Sequence, residues 1–331
     1  MGGIGRLLVD RVDGRWAESA APDALRSLGC AVHRVASIRD GGRLLQRTVF
    51  EASDGYVGSD LAEAIEAAAC EPGGDTAARV AWARRKRAGV LLGRGGGALL
   101  AALLDDAAAG GCEIVAALSS DGDDDGAAAA PLCAAHNVPF YALAAEATGG
   151  AGDDLRRRLL RSSRVDVVVV AGDAAATRSL PPALLYEYDR RIIGVAGSLL
   201  PAFESDADPY EAAFARGVRV FGSTAFYETP DGARGGPILA TRAAPAAGHA
   251  TAADLARAGA ALEAGALVDA VRAHCEDRVL LRGRRAALFP GGGRADRDRD
   301  AAPEDRPGAV TADRRPPLRR RAAAARAGPL A

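Results

Sequence analysis

The sequence lacks an excess of charge of either sign: 42 Lys and Arg stand against 43 Asp and Glu in 331 residues, a net of -1. A chain so balanced exerts no global pull on nucleic acid or on an anionic membrane surface, and neither is expected as a partner. It also lacks paired cysteines. Cys30, Cys70, Cys112, Cys133 and Cys275 are scattered without C-x-x-C spacing, which suggests neither a zinc site nor a disulfide framework and predicts isolated buried thiols in a reducing compartment. No metal is expected. No apolar run approaches the roughly 20 residues that span a bilayer, and the N-terminus shows no basic stretch followed by an apolar core. A cytoplasmic protein is the expectation. Histidine is scarce as well: His33, His136, His249 and His274 stand apart, and each reads as a surface or already satisfied residue.

What is present is a 49% hydrophobic, 26% charged composition, enough for two domains. By period, residues 4–9 form a strand, 20–28 a helix closed at Gly29, and 31–38 a second strand. Asp40-Gly41-Gly42 turns into a strand over 43–50, Ser59 caps a helix over 60–69, and 79–83 closes the sheet. This βαββαβ order, over 1–84, is a small ferredoxin-like α+β domain. Its exposed edge suits pairing with a second subunit, so a dimerising role and a homo-oligomer are expected. Arg84-Arg85-Lys86-Arg87 follows; beside a neutral whole-chain charge it reads as a solvated linker rather than a nucleic-acid patch.

A second domain spans 85–289. Residues 88–92 form a buried strand, Gly93-Arg94-Gly95-Gly96-Gly97-Ala98 a turn, and the chain then continues as a helix to 109. Taken alone, this is G-x-G-x-x-A between strand and helix, the dinucleotide fingerprint, with Asp121 after the next strand (114–118) as the ribose-binding acid. An NAD(P)-binding oxidoreductase using Gly93 to Ala98 is therefore one alternative. Further on, 152–161 is an amphipathic helix and 165–171 an almost continuous apolar run, as a central parallel strand requires. Ligands of such sheets collect at the carboxyl ends of strands, here Ala171-Gly172-Asp173 and Ala196-Gly197-Ser198. A helix over 209–216, strands over 218–227 and 238–242, a long helix over 252–274 and a hairpin over 278–289 complete a Rossmann-like α/β domain with a parallel-rich sheet. Residues 290–331 are mostly Pro, Gly, Ala, Arg and Asp. They hold too little apolar surface to offset ordering entropy, so a disordered tail is expected.

Several motifs occur in one order: Asn137-Val138-Pro139-Phe140, Arg190-Arg191-Ile192-Ile193, Ser198-Leu199-Leu200-Pro201-Ala202-Phe203, Pro209-Tyr210, Gly222-Ser223-Thr224-Ala225-Phe226-Tyr227 and Gly236-Pro237-Ile238. This string resembles the formyltetrahydrofolate deformylase family of the folate-dependent formyltransferases. The resemblance implies an ACT-type regulatory domain in front of a formyltransferase-like domain, although the usual Asp-x-x-Gly opening is reduced here to Asp10-Arg11-Val12-Asp13-Gly14. It further implies hydrolysis of 10-formyltetrahydrofolate to formate and tetrahydrofolate, within one-carbon and purine metabolism, with folate as substrate or ligand and no cofactor required. It implies substrate-binding positions at Ala171, Gly172, Ser198, Leu200, Pro201, Thr224 and Gly236.

The same resemblance places an Asn that polarises the formyl oxygen, two His and an Asp around the reacting group. Here Gly194 stands at the Asn position, Ala196 at the first His, Gly197 at the second, and Ala233 or Arg234 at the Asp. None of these can move a proton. The expectation is a deformylase-like chain whose turnover is lost or strongly impaired, with a non-catalytic folate-binding or regulatory partner of an active homologue as an alternative. A rearranged catalytic set would have to draw on Asp231, Glu228, Ser198 or Tyr227.

Overall fold

The computed structural model describes residues 3–12, 18–52, 58–70, 75–119, 124–143, 150–173, 176, 180–203, 208–230, 236–248 and 250–291. The chain divides into two compact units: Met1–Arg84 with Glu276–Leu280 and Ala287 onward, and Arg85–Cys275 with Leu281–Ala286.

The first unit runs β1 (Gly3–Val12), α1 (Ala20–Ser27), β2 (Ala31–Asp40), β3 (Arg43–Ala52), α2 (Ser59–Ala69) and β4 (Thr76–Trp82). Its sheet has the order β2-β3-β1-β4 with antiparallel neighbours. Gly41 and Gly42 both have positive φ, 55° and 73°, the conformation a tight hairpin between β2 and β3 demands. Alternation along β1 sorts the sheet into two faces. Leu7 and Val9 pack with Phe50 and with Leu25 and Ile65 from the helices. Leu8 and Leu45 pack on the other face with Leu280 and Phe289, brought back from the far end of the chain. That return is pinned by Arg6 Nη1 on Asp277 Oδ2 at 3.0 Å, both side chains 2% exposed. Arg47 adds donations to the carbonyls of Asp277 and Glu276 at 3.0 and 2.8 Å. Ser59 does not cap α2: it is the first helical residue, Gly58 holds the cap position, and the Ser59 hydroxyl bonds the Asp60 carboxylate at 3.1 Å instead.

The second unit runs β5 (Arg87–Leu92), α3 (Gly97–Ala108), β6 (Glu113–Ser119), α4 (Asp124–Ala135), β7 (Phe140–Ala142), α5 (Gly150–Ser162), β8 (Val167–Ala171), α6 (Pro182–Glu187), β9 (Ile192–Ala196), α7 (Pro209–Ala215), β10 (Val220–Tyr227), β11 (Ile238–Pro245) and α8 (Ala252–Cys275). A short hairpin, β12 (Val279–Arg282) and β13 (Arg285–Leu288), follows α8. The sheet order is β11-β10-β9-β8-β5-β6-β7. The strands from β7 to β9 are parallel, and β10 and β11 close the edge antiparallel. Every residue of β8 is buried, which is why its sequence is an unbroken run of Val and Ala rather than an alternation. From β5 the chain first builds outward through β6 and β7, then crosses to β8 on the other side. The topological switch, where open sheets bind ligands, therefore lies at the carboxyl ends of β5 and β8. The fold is α/β with a mostly parallel central sheet and a small α+β region in front. Among the described residues, no helix is long and apolar enough to cross a membrane.

Candidate functional site

The register of β9 on β10 decides which side chains can meet a ligand. Ala196 lies opposite Thr224 and Gly194 opposite Phe226. Opposed residues of a sheet share a face, so Gly194, Ala196, Thr224 and Phe226 line one side, floored by small and apolar groups. The turn beyond β9 is held by Thr224: its hydroxyl donates to the Ser198 carbonyl at 2.8 Å and accepts from the Leu200 amide at 3.0 Å. Leu200–Pro201, within this turn, is a cis peptide. At the other end of β10, the Tyr227 amide donates to the Pro237 carbonyl at 3.0 Å. A Cβ at Gly236 would stand 2.0 Å from the Tyr227 oxygen, so only glycine lets the returning chain come this close.

Gly197, on the opposite side from Ala196, packs on a second pair. A Cβ there would meet Glu263 Oε1 at 2.8 Å and the Tyr210 hydroxyl at 2.9 Å. The Tyr210 hydroxyl donates to that same Glu263 oxygen. Burial pushes the carboxyl of Glu263 up in spite of that bond, and burial beside Glu263 pushes the Tyr210 hydroxyl up as well. The pair holds α7 to α8.

At the switch point two glycines of the 93–98 turn, Gly93 and Gly96, are taken up by packing, whereas a Cβ on Gly95 or Gly97 would meet nothing within 4 Å. Gly93 N donates to the Ala171 carbonyl at 2.9 Å and Asp173 N to the Arg94 carbonyl at 3.0 Å. A Cβ on Gly96 would lie 2.3 Å from the Ala171 oxygen, one on Gly93 2.4 Å from Ala176 Cβ, and one on Gly172 2.8 Å from Gly93 Cα. Gly93 and Gly96 are thus required where the two loops meet, and Gly95 by its φ of 73°. Asp121 lies outside the described residues.

The structure thus brings Gly194, Ala196 and Thr224 onto one face, with Ser198, Leu200 and Pro201 in the adjoining turn. Ala171 and Gly172 close the end of the neighbouring strand β8. Asp231, Ala233, Arg234 and His249 fall outside the described residues, as does the chain from 292 onward. Tyr227 points away from the site: alternation puts it on the α8 face, where its hydroxyl meets His274 Nδ1 at 2.6 Å. His274 is accordingly a half-buried, hydrogen-bonded residue rather than a surface one. His33 bonds Glu51 at 3.1 Å, and His136 is exposed in the turn after α4. Cys30, Cys112 and Cys133 are buried as expected, while Cys70 and Cys275 are only half-buried, so the expectation of uniform burial needs correcting. Among the described residues, no group of three His, Cys, Asp or Glu could hold a metal ion. Sequence reasoning also passed over the partnership of Tyr210 with Glu263, which joins residues of separate elements and leaves no local trace.

Residues 88–271 match the family model described as formyl transferase. The chain belongs to that family. Its β5-to-α8 unit is the matched part. A formyltetrahydrofolate deformylase of Bacillus subtilis is 34% identical over 125 residues, 38% of this chain and 40% of the relative, so the match spans about two fifths of that protein's length. Among solved structures, a deformylase from Burkholderia mallei is 26% identical with a TM-score of 0.73, over 87% of this chain and all of the other. One from Pseudomonas syringae reaches a TM-score of 0.77 at 24% identity, over 88% and 95% of the two chains, and speaks for the fold alone. Both structures extend over the first unit as well as the formyl transferase part.

Proposed function

We propose that this chain is a formyltetrahydrofolate deformylase homologue that retains a folate cleft and binds 10-formyltetrahydrofolate while hydrolysing it slowly or not at all. The observation that carries the reading is the shared face of Gly194 and Ala196. The turn bonds of Thr224 and the close approach at Gly236 hold the backbone around this face, yet the two positions on it bear no side-chain group that donates or accepts a proton. Hydrolysis of a formamide needs an activated water, a donor for the developing oxyanion and a proton for the leaving nitrogen. Loss of a general acid/base costs about 10²- to 10⁴-fold in rate, and loss of one oxyanion donor about 10²- to 10³-fold. Ala171, Gly172, Ser198, Leu200, Pro201, Thr224 and Gly236 are the substrate-binding positions of this reading. It takes the first unit as an ACT-type domain that associates in a cytoplasmic homo-oligomer, and it requires no cofactor. It places the chain in one-carbon and purine metabolism, either as a slow enzyme or as a folate-binding companion of an active homologue.

The test is calorimetric binding of 10-formyltetrahydrofolate together with release of formate and tetrahydrofolate. The expected result is binding with turnover at least about 10²-fold below that of an active deformylase measured alongside. Gly194→Asn and Ala196→His installed together with either Ala233→Asp or Arg234→Asp should raise formate release, whereas each alone should not, because such groups act as a unit. Family-level turnover by the unaltered chain would refute the reading.

A further inference from the structure

One acidic side chain on the Gly194 face has a buried oxygen with no hydrogen-bond partner among the described residues. The Glu228 amide donates to the Ile192 carbonyl at 2.9 Å, which carries the β9–β10 ladder one residue past Tyr227. Glu228 therefore stands opposite Ile192, on the side that carries Phe226 and diagonal to Gly194. Diagonal cross-strand neighbours lie within reach of a long side chain, and glycine leaves that direction open. Glu228 Oε1 is buried and accepts no hydrogen bond among the described residues. Burial pushes the carboxyl up to about 7. The residue as a whole is only half-buried, so one edge of the side chain remains open to approach.

An orphaned buried oxygen costs about 1–3 kcal/mol, which an apolar residue of similar size would avoid. Such a group keeps its full hydrogen-bonding capacity for a ligand. A metal ion is not the expected ligand, because among the described residues Glu228 belongs to no group of three His, Cys, Asp or Glu that could hold one. A carboxylate set in apolar surroundings is best matched by two parallel N–H donors in one plane, the arrangement that makes guanidinium–carboxylate pairs strong. A flat ring also suits the floor formed by Gly194, Ala196 and the Phe226 side.

We propose that Glu228 is a ligand-recognition residue, whose carboxyl takes the paired N–H donors at the edge of an aminopyrimidinone ring bound beside Gly194. The inference rests on the folate reading above and deepens it, since the pterin ring of a folate carries such an edge, a ring N–H beside an amino group. The step is binding only and involves no covalent change.

The experiment compares pterin-6-carboxylate with lumazine-6-carboxylate, which carries an oxo group where the pterin has its amino group. Binding of both, and of 10-formyltetrahydrofolate, is measured at pH 8, where the Glu228 carboxyl is ionised and accepts only, on the full chain and on Glu228→Gln. The wild type should prefer the pterin by about tenfold or more, as one charge-assisted pair of bonds implies. The Gln amide offers one donor and one acceptor, the complement of the lumazine edge, and should abolish or invert that preference. Glu228→Leu should bind both rings alike, which guards against misreading a folding defect in the Gln variant. An unchanged preference in Glu228→Gln overturns the proposal while leaving the folate reading in place, as does binding of 10-formyltetrahydrofolate without any preference for the pterin. Failure of the wild type to bind any of the three overturns both.

Discussion

Asp277→Ala should cripple the first unit without touching the formyl transferase part. The carboxylate it removes is 2% exposed and lies 3.0 Å from Arg6, itself 2% exposed, with Arg79 at 3.8 Å. Its loss breaks this buried ion pair from one side, a change worth about 3–5 kcal/mol. The residue also has φ of 49°, a left-handed conformation that Asp tolerates better than Ala, and this adds to the cost. Against a stability of roughly 5–15 kcal/mol for a small domain, the loss is a large share. At about 4–8 °C per kcal/mol for a unit of this size, the transition should fall by more than about 12 °C. Tryptophan fluorescence isolates the unit, because both tryptophans, Trp16 and Trp82, belong to it, and Trp82 stacks edge-on against Phe50 at 5.6 Å. Asp277→Asn keeps the shape and the backbone tolerance and should recover part of the loss. Arg6→Met with Asp277→Asn, which removes the buried charge and keeps the backbone tolerance, should recover more. A tryptophan-monitored transition of Asp277→Ala within about 2 °C of wild type, a shift worth well under 1 kcal/mol, would refute the reasoning.

Other outcomes follow from single contacts. With its carboxyl raised from 4.5 to about 7 by burial, Glu228 keeps its proton in the folded chain while the unfolded chain has lost it, so stability falls as pH rises between those values and is level above them. At about 1.4 kcal/mol per pH unit, Glu228→Gln should match wild type near pH 4.5 and exceed it by up to about 3 kcal/mol at pH 8 in urea denaturation; a difference independent of pH would count against the burial argument. Gly96→Ala drives a methyl group to 2.3 Å from the Ala171 carbonyl oxygen, part of a backbone that cannot swing aside, and should cost about 1–3 kcal/mol or more, read as a lowered urea midpoint. Thr224→Val orphans the Leu200 amide and loosens the Ser198 carbonyl, at about 1–3 kcal/mol, and amide hydrogen exchange at Leu200 should speed up accordingly.

Much of the fold was legible because it is written in local periods. The apolar run ending at Ala171 announced a strand buried on both faces, and Gly41-Gly42 announced the hairpin between β2 and β3, since both signals depend on residues adjacent in sequence. The helix α4 was not legible: its alanine-rich stretch offers no contrast between faces, and Pro131 inside it argued against a helix. The glycines of residues 93–97 carried an ambiguous signal. The same residue serves a phosphate cradle and a backbone-to-backbone contact, and only the position of Ala171 and Gly172 shows the contact made here.

The sequence by itself determined the order of elements, the motifs shared with the formyl transferases and the identities of Gly194 and Ala196, because each is a property of neighbouring residues. Tertiary structure decided the rest. That Glu228 shares a face with Gly194 follows from a register across two strands, and that Asp277 completes the first unit follows from a pairing with Arg6 across 271 positions of sequence. Such pairings form when the apolar faces of distant elements are buried together, and nothing in the period of either segment specifies its partner.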